Sequence, residues 1–440
     1  MYARRLRRLF HEPFWFALLG AIVVGAIAGK IFTHERGGDE IQSIFGRAWR
    51  GDAAETRAVL GGLFGFMTTI VALVLSVNAV VIKSAAYQYS PRLIPLYIKN
   101  APTRRALLPF VVLAAYVLVA VRELGLVAED GAGPRVVISG AVLLLFVAIS
   151  FLLVDLVRTF RFIRVERVLD LARDATFAAA ERVRTRVDRL ALDEVATLSL
   201  PDDASALVAA ESGYLVDVDV RHLAQVARAA KVRTRICHAI GDYVDKGEVV
   251  GWVACDRGGA VGPRLARELA ATLMISAVRE LEYDPALGIR IIVDVANRAL
   301  SSSANDPYTA RQALNQLRSV LHHLARLPLG DWNVVDRDGS VRVSVMTAHL
   351  RELLSVAVGG PLYYGAGHPD VLEGLLEIVR AVLRVARQPK DYAAAGVLLE
   401  RIERLVEDSD LDPERLERLR AEAEPMPDLR SAREGQKSRR

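Results

Sequence analysis

Apolar positions divide this chain into two unlike parts. Four long apolar segments, at 14–33, 59–82, 106–121 and 136–154, fall within residues 1–157. Their lengths cluster near the roughly 20 residues a helix needs to cross a bilayer. A signal peptide would explain only the first, and no small-residue cleavage site follows it. The third segment is the shortest, its uncharged run closing at Arg122 and Glu123. Snorkelling or an interhelical ion pair would extend it, whereas a short interfacial helix would leave three spans.

Charge placement favours four. Arg4, Arg5, Arg7 and Arg8 precede the first segment, and Lys83, Arg92, Lys99, Arg104 and Arg105 separate the second from the third. Arg158, Arg161, Arg164 and Arg167 follow the fourth, while the 122–135 connection offers only Arg122 and Arg135. The positive-inside rule then puts both termini and the 83–105 loop in the cytoplasm. The loop before the second segment mixes Arg36, Arg47, Arg50 and Arg57 with Glu35, Asp39, Glu40, Asp52 and Glu55, so it orients weakly.

Beyond residue 157 short periodic runs alternate with turn residues. Residues 158–193 carry a charged helical pattern, read as a continuous extension of the fourth span. The stretch from Ser199 through Pro201, Asp202 and Asp203 to Ser205 reads as a loop and cap before a short helix. Strands are expected at 213–218 and 231–238, with a helix at 220–229 between them. Gly241-Asp242 and Lys246-Gly247 supply turns between β-branched runs. That pattern resembles the strand-turn-strand unit of lipoyl or biotinyl carriers, without their modifiable lysine centre. Helices are expected at 262–281, 289–300 and 308–325, the last opened by the cap and proline of Asn305-Asp306-Pro307. A hairpin around Asp338-Gly339 follows, then helices at 346–358, 370–387, 391–406 and 411–424.

The expected fold class is an α-helical membrane protein with four transmembrane helices, followed by a mixed α/β, mainly helical cytoplasmic domain containing a small β substructure. The expected domains are 1–157 in the membrane, a juxtamembrane connector at 158–198, a β-rich subdomain at 199–260, a helical subdomain at 261–424 and a disordered basic tail at 425–440. The formal net charge of +5 is largely met by juxtamembrane arginines facing anionic lipid. No basic patch with interleaved aromatics stands out, so no nucleic-acid partner is expected. Cys237 and Cys255 have no His or Cys companions at ligand spacing, which argues for reduced thiols and against a metal site.

The second span holds the membrane half's polar residues. Gly61 and Gly65 would allow close helix approach, and Thr68, Thr69, Ser76 and Asn78 can hydrogen-bond across an interface. Thr69, Ser76 and Lys83 recur every seven residues, so they share a helical stripe. Thr69, Ser76, Asn78 and Lys83 are the candidate pore-lining residues, with ordinary helix packing as the alternative. Pro91 should interrupt the helix, and Tyr87, Tyr89 and Arg92 suit the lipid headgroup level.

Several stretches carry a family likeness: Met67-Thr68 and Ser76; Gln88-Tyr89-Ser90-Pro91-Arg92; Gly213-Tyr214; Gly241-Asp242 and Gly247. The most specific is Arg279, Asp284-Pro285, Gly288-Ile289-Arg290, Asp294, Arg298-Ala299-Leu300-Ser301, Asn305-Asp306-Pro307 and Thr309-Ala310. From about residue 10 to 405 the chain resembles the bacterial predicted membrane proteins grouped as domain of unknown function 2254. It departs from that pattern in carrying Ser302-Ser303 where the family has Pro-Gly before Asn-Asp-Pro. The resemblance implies a bacterial inner-membrane location and this architecture, and it carries no activity.

Asp284, Asp294, Arg298, Asn305 and Asp306 form the one candidate polar cluster. Asp294 and Arg298 stand at i,i+4. The cluster reads either as an intrahelical ion pair with a helix cap or as a site for a small ligand or ion, with no metal defined by the spacing. P-loop, nucleophile-elbow, zincin and dinucleotide signatures do not occur, so neither catalysis nor a cofactor is indicated. His238, His322, His323 and His349 are scattered. Two functions remain open: an oligomeric channel or ion-conducting protein with a cytoplasmic regulatory or vestibule domain, and a membrane-anchored sensory or scaffold protein. The expected partners are membrane lipids, further copies of the chain in a homo-oligomer, and ions or a small ligand.

Overall fold

The computed structural model describes residues 13–34, 53–96, 107–124 and 133–407, apart from 163, 194–195, 197, 328 and 387–388. The arginines at 4–8, the 35–52 loop, the expected helix at 411–424 and the tail at 425–440 lie outside the described residues. The chain forms two compact units: Met1–Tyr87 with Ile94–Arg167, and Gln88–Leu93 with the chain from Val168 onward.

Among its described residues the first unit has four apolar helices: α1 (Pro13–His34), α2 (Ala53–Gln88), α3 (Leu108–Leu124) and α4 (Gly133–Phe162). Among the described residues two stretches are long and apolar enough to cross a membrane, Ala54–Gln88 and Val137–Thr159. The expectation of four spans is corrected to two on this measure. At 1.5 Å per residue, α3 reaches only about 26 Å, short of a hydrocarbon core of roughly 30 Å.

Gly25 and Gly29 bring α1 against α3. A Cβ at Gly25 would stand 2.3 Å from the Val112 carbonyl oxygen, and one at Gly29 would stand 2.9 Å from that of Tyr116. This is small-residue packing in a GxxxG spacing. Within this chain Gly61 and Gly65 do not serve this purpose: a Cβ at either meets nothing within 4 Å. Phe110, Leu113, Tyr116 and Val117 of α3 form the buried centre with Leu60 and Met67 of α2. The Tyr116 hydroxyl donates to the Val137 carbonyl at 2.8 Å, so the phenol's polar end is satisfied inside apolar surroundings.

The expected continuous helix leaving the fourth span is interrupted, because α4 ends at Phe162 and α5 begins at Val165 (Val165–Leu190). The second unit then builds a five-stranded sheet in the order β1 (Ser205–Val208), β5 (Val249–Cys255), β3 (Val232–Ile236), β8 (Val341–Val345), β7 (Trp332–Val335). β3 and β8 pair in parallel, and the other neighbours are antiparallel. A second sheet has the order β4 (Tyr243–Val244), β2 (Gly213–Val218), β6 (Leu273–Ser276). The runs flanking Gly247 therefore do not form a hairpin with each other: β4 joins β2, whereas β5 joins β1 and β3.

Helices α6 (Val220–Ala230) and α7 (Pro263–Ala270) join these strands around a core that includes Leu215, Leu223, Ile236, Val253, Leu269 and Trp332. Where a short helix is expected after the Pro201-Asp202-Asp203 loop, the chain instead forms strand β1. The expected helix at 262–281 is α7 followed by β6, whose Leu273 and Ile275 point into the core while β2 takes their backbone hydrogen bonds. The hairpin around Gly339 forms as expected, with that glycine at φ 81°. Among the described residues five helices follow: α8 (Pro285–Ala299), α9 (Pro307–Leu324), α10 (Leu350–Gly365), α11 (Pro369–Leu383) and α12 (Pro389–Glu407). α8 packs on α9 and α10, and α11 packs on α9 and α12.

Candidate functional site

The polar residues expected to converge are strung along α8 and the turn beyond it. Asp284 caps the helix, its carboxylate accepting from the Leu287 N–H at 3.0 Å. Asp294 lies about 15 Å further along the axis at 1.5 Å per residue. Asn305, at φ 44°, turns the chain in the left-handed region. Asp306 caps α9 by accepting from the Thr309 N–H at 3.0 Å. The Thr309 hydroxyl and N–H also hold the Asp306 carboxyl below the usual carboxylate range. Asp284 and Asp294 are therefore too far apart to share one small ion. Among the described residues no group of three His, Cys, Asp or Glu could hold a metal ion.

Asp294 does not pair with Arg298, which is exposed. Its partners come from the segment that follows α2. Ser90 Oγ donates to Asp294 Oδ2 at 2.8 Å and accepts from the Arg92 N–H at 3.2 Å. The Arg92 guanidinium forms an ion pair with the same Asp294 oxygen. Ser90 is 2% exposed, while Arg92 is half exposed. Pro91 opens a 3₁₀ turn, Pro91–Leu93, which ends α2 and aims these groups at α8. Arg92, expected to suit the lipid headgroup level, forms one half of a polar clasp within the second unit. No local sequence signal announces the clasp, because its partners are 204 positions apart.

A second cluster explains more of the family-like residues. Arg279 pairs with the buried Asp284 through two guanidinium nitrogens, at 2.5 and 3.1 Å. Burial pushes the Asp284 carboxyl up from its ordinary value, while Arg279 and the N–H groups of Leu287 and Ala286 oppose that rise. Gly241 sits against this pair at φ 102°, where a Cβ would be 2.4 Å from the Arg279 guanidinium and 2.6 Å from Asp284 Oδ2. Its N–H donates to the Leu215 carbonyl at 2.8 Å. Glycine is required twice over here, by dihedral and by space. Gly288 has a similar role: its Cβ would fall 2.0 Å from Thr176 Oγ1 of α5. These contacts are structural ones, locking loop, helix and sheet together.

On α2 the hydroxyls of Thr68, Thr69 and Ser76 each donate to the carbonyl four residues back, at 2.8, 3.0 and 2.8 Å. Thr69, Ser76 and Lys83 share an exposed stripe, whereas Asn78 is buried and lies off it. The Lys83 ammonium stands 5.9 Å from the centre of the Tyr87 ring.

Apolar N-terminal helices followed by a mixed α/β, mostly helical unit with a small β substructure define a membrane protein with a sizeable folded domain outside its apolar segments. The chain belongs to the family described as predicted membrane protein (DUF2254), whose model matches residues 11–381. It is 30% identical over 350 residues to the uncharacterized protein Rv1290c of Mycobacterium tuberculosis, covering 79% of this chain and 67% of that one. The same figures hold for the uncharacterized protein Mb1321c of Mycobacterium bovis. No solved structure matches the chain.

Proposed function

We propose that this protein is an oligomeric, ion-conducting membrane protein with cytoplasmic termini, in which the folded α/β unit regulates α2. The observation that carries this reading is the Ser90–Arg92–Asp294 clasp. The chain leaving α2 is fastened directly to α8, so a rearrangement of the α/β unit pulls on the end of α2. The exposed Thr69, Ser76 and Lys83 stripe supplies the polar surface that copies of α2 would turn toward a shared pathway. Closure around an axis would be needed, since the apolar helices of one chain are few for a complete pore.

The second reading, a membrane-anchored sensory or scaffold protein, draws on a different observation. The α2 hydroxyls are satisfied by their own helix, so lipid would cover them at little cost. Flux from liposomes holding the purified full chain separates the two. Conduction predicts current in the native protein that Ser76→Leu removes while assembly is retained, and that Asp294→Ala alters in its gating. Silence across voltage, tension and pH, with Ser76→Leu indistinguishable from native protein, would sink the channel reading in favour of the scaffold.

A further inference from the structure

One face of α5 and the start of α6 enclose a cleft of about 480 Å³, within the second unit and remote in sequence from the clasp. Arg182, Arg186 and Arg189 follow one another at i, i+4 and i+7 along α5, so they share a face. Arg221 enters from the first turn of α6, whose N-terminus opens on the same cleft.

These four cations are not equivalent. Arg186 grips Asp217 through both guanidinium nitrogens and lies 3.8 Å above the centre of the Tyr283 ring. Burial works against its charge, but Asp217 outweighs that and holds it above its ordinary value. It is a fixed floor. Asp219 is committed as well, capping α6 through the His222 N–H at 3.0 Å. Arg182, Arg189 and Arg221 remain at the rim, exposed, and among the described residues none of them pairs with a carboxylate. Arg182 reaches only the Glu282 carbonyl, at 3.4 Å. Other exposed arginines of this unit are paired with carboxylates, Arg184 with Glu181 and Asp188, Arg228 with Asp336 and Arg318 with Glu377, and what sets the three rim arginines apart is that they line one cleft.

We propose that this cleft is a binding site for a small molecule bearing two or more phosphate charges. Three guanidinium forks that lack a carboxylate partner line one concavity, which is the arrangement that phosphate oxygens satisfy bidentately. The volume falls in the usual range for small-ligand pockets, roughly 300–1,000 Å³. A single carboxylate would leave most of that positive potential unmatched. The phosphate could belong to a soluble metabolite or to a lipid headgroup. The inference stands whether or not the protein conducts.

The test uses the full chain in phosphatidylcholine nanodiscs, titrated with inorganic pyrophosphate by calorimetry. Saturable binding tighter than roughly 1 mM is expected, weakening as salt is raised. The double variant Arg189→Gln/Arg221→Gln should lose about tenfold or more in affinity, since each fork supplies a charge-assisted bond. Both residues are exposed, so the variant should keep the native melting temperature. Arg351→Gln, an exposed arginine on α10, should bind as the native protein does. Nanodiscs containing cardiolipin, whose headgroup carries two phosphates, identify the source. Weaker pyrophosphate binding there supports a headgroup in the cleft, and unchanged binding supports a soluble ligand. Absence of saturable binding, or equal affinity in the native chain and the double variant, would overturn the proposal.

Discussion

Helices α2 and α8 are both rich in apolar residues, yet they dispose of their polar groups in opposite ways. Along α2 the threonine and serine hydroxyls fold back on carbonyls of their own helix, and most of its apolar surface is bare in the single chain. On α8 the carboxylates reach other parts of the chain: Asp284 to Arg279, Asp294 to Ser90 and Arg92. The difference follows from the surroundings each helix is built for. A helix facing hydrocarbon finds no water for its polar groups and satisfies them internally. A helix buried in a folded unit gains specificity by pairing them at a distance, and loses stability when a partner is removed.

That contrast can be broken at graded positions. Arg279→Met should have the largest effect, about 3–5 kcal/mol in chemical unfolding, because it leaves the buried Asp284 carboxylate uncompensated. Retention of native stability would mean the pair is not buried as described. Gly288→Val should cost about 1–3 kcal/mol by forcing α8 off Thr176, with a lowered melting temperature as the readout. On α2, by contrast, Gly61→Ala and Gly65→Ala should be stability-neutral or slightly helpful, as their Cβ positions face open space. Asp294→Ala should cost about 2 kcal/mol, since the buried Ser90 hydroxyl loses its acceptor, whereas Arg92→Ala should cost no more than about 1 kcal/mol.

A modest effect that depends on pH is expected at the α9 cap. Asp306→Ala should cost about 1 kcal/mol in an unfolding titration at neutral pH. The folded carboxyl titrates below its unfolded value, so its contribution is present above the ordinary aspartate pKa of about 3.9 and fades as pH falls below that. The difference between native protein and Asp306→Ala should therefore shrink in strong acid. A gap that persisted unchanged there would show that the cap does not act through its charge.

The fold was legible where local chemistry decides it. The cap and proline of Asn305-Asp306-Pro307 open α9 as their residue types dictate, and the Asp338-Gly339 turn closes its hairpin. It was illegible where four-residue strands are held by distant partners. Strand β6 reads as an extension of the helix before it, and only pairing with β2 makes it a strand. Of the candidate site, Asp306 was visible as a helix cap, but the cap at Asp284 was not read, since its helix was expected to begin at 289, and no local pattern could give Asp294 its partners. The Arg182, Arg186 and Arg189 spacing was legible, yet it looks like any charged helix until α6 brings Arg221 beside it. The Gly25–Gly29 spacing was also legible, overshadowed by the polar residues of the next helix.

The clasp sets an order of events for a newly made chain. Ser90 is added to the chain 204 residues before Asp294. At roughly 5–20 residues per second, that is about 10–40 seconds of synthesis. Throughout that interval α3 and α4 must find their places while the end of α2 is still untied. Closure of the clasp is thus a late event in the making of the chain, open only once α8 has been synthesised.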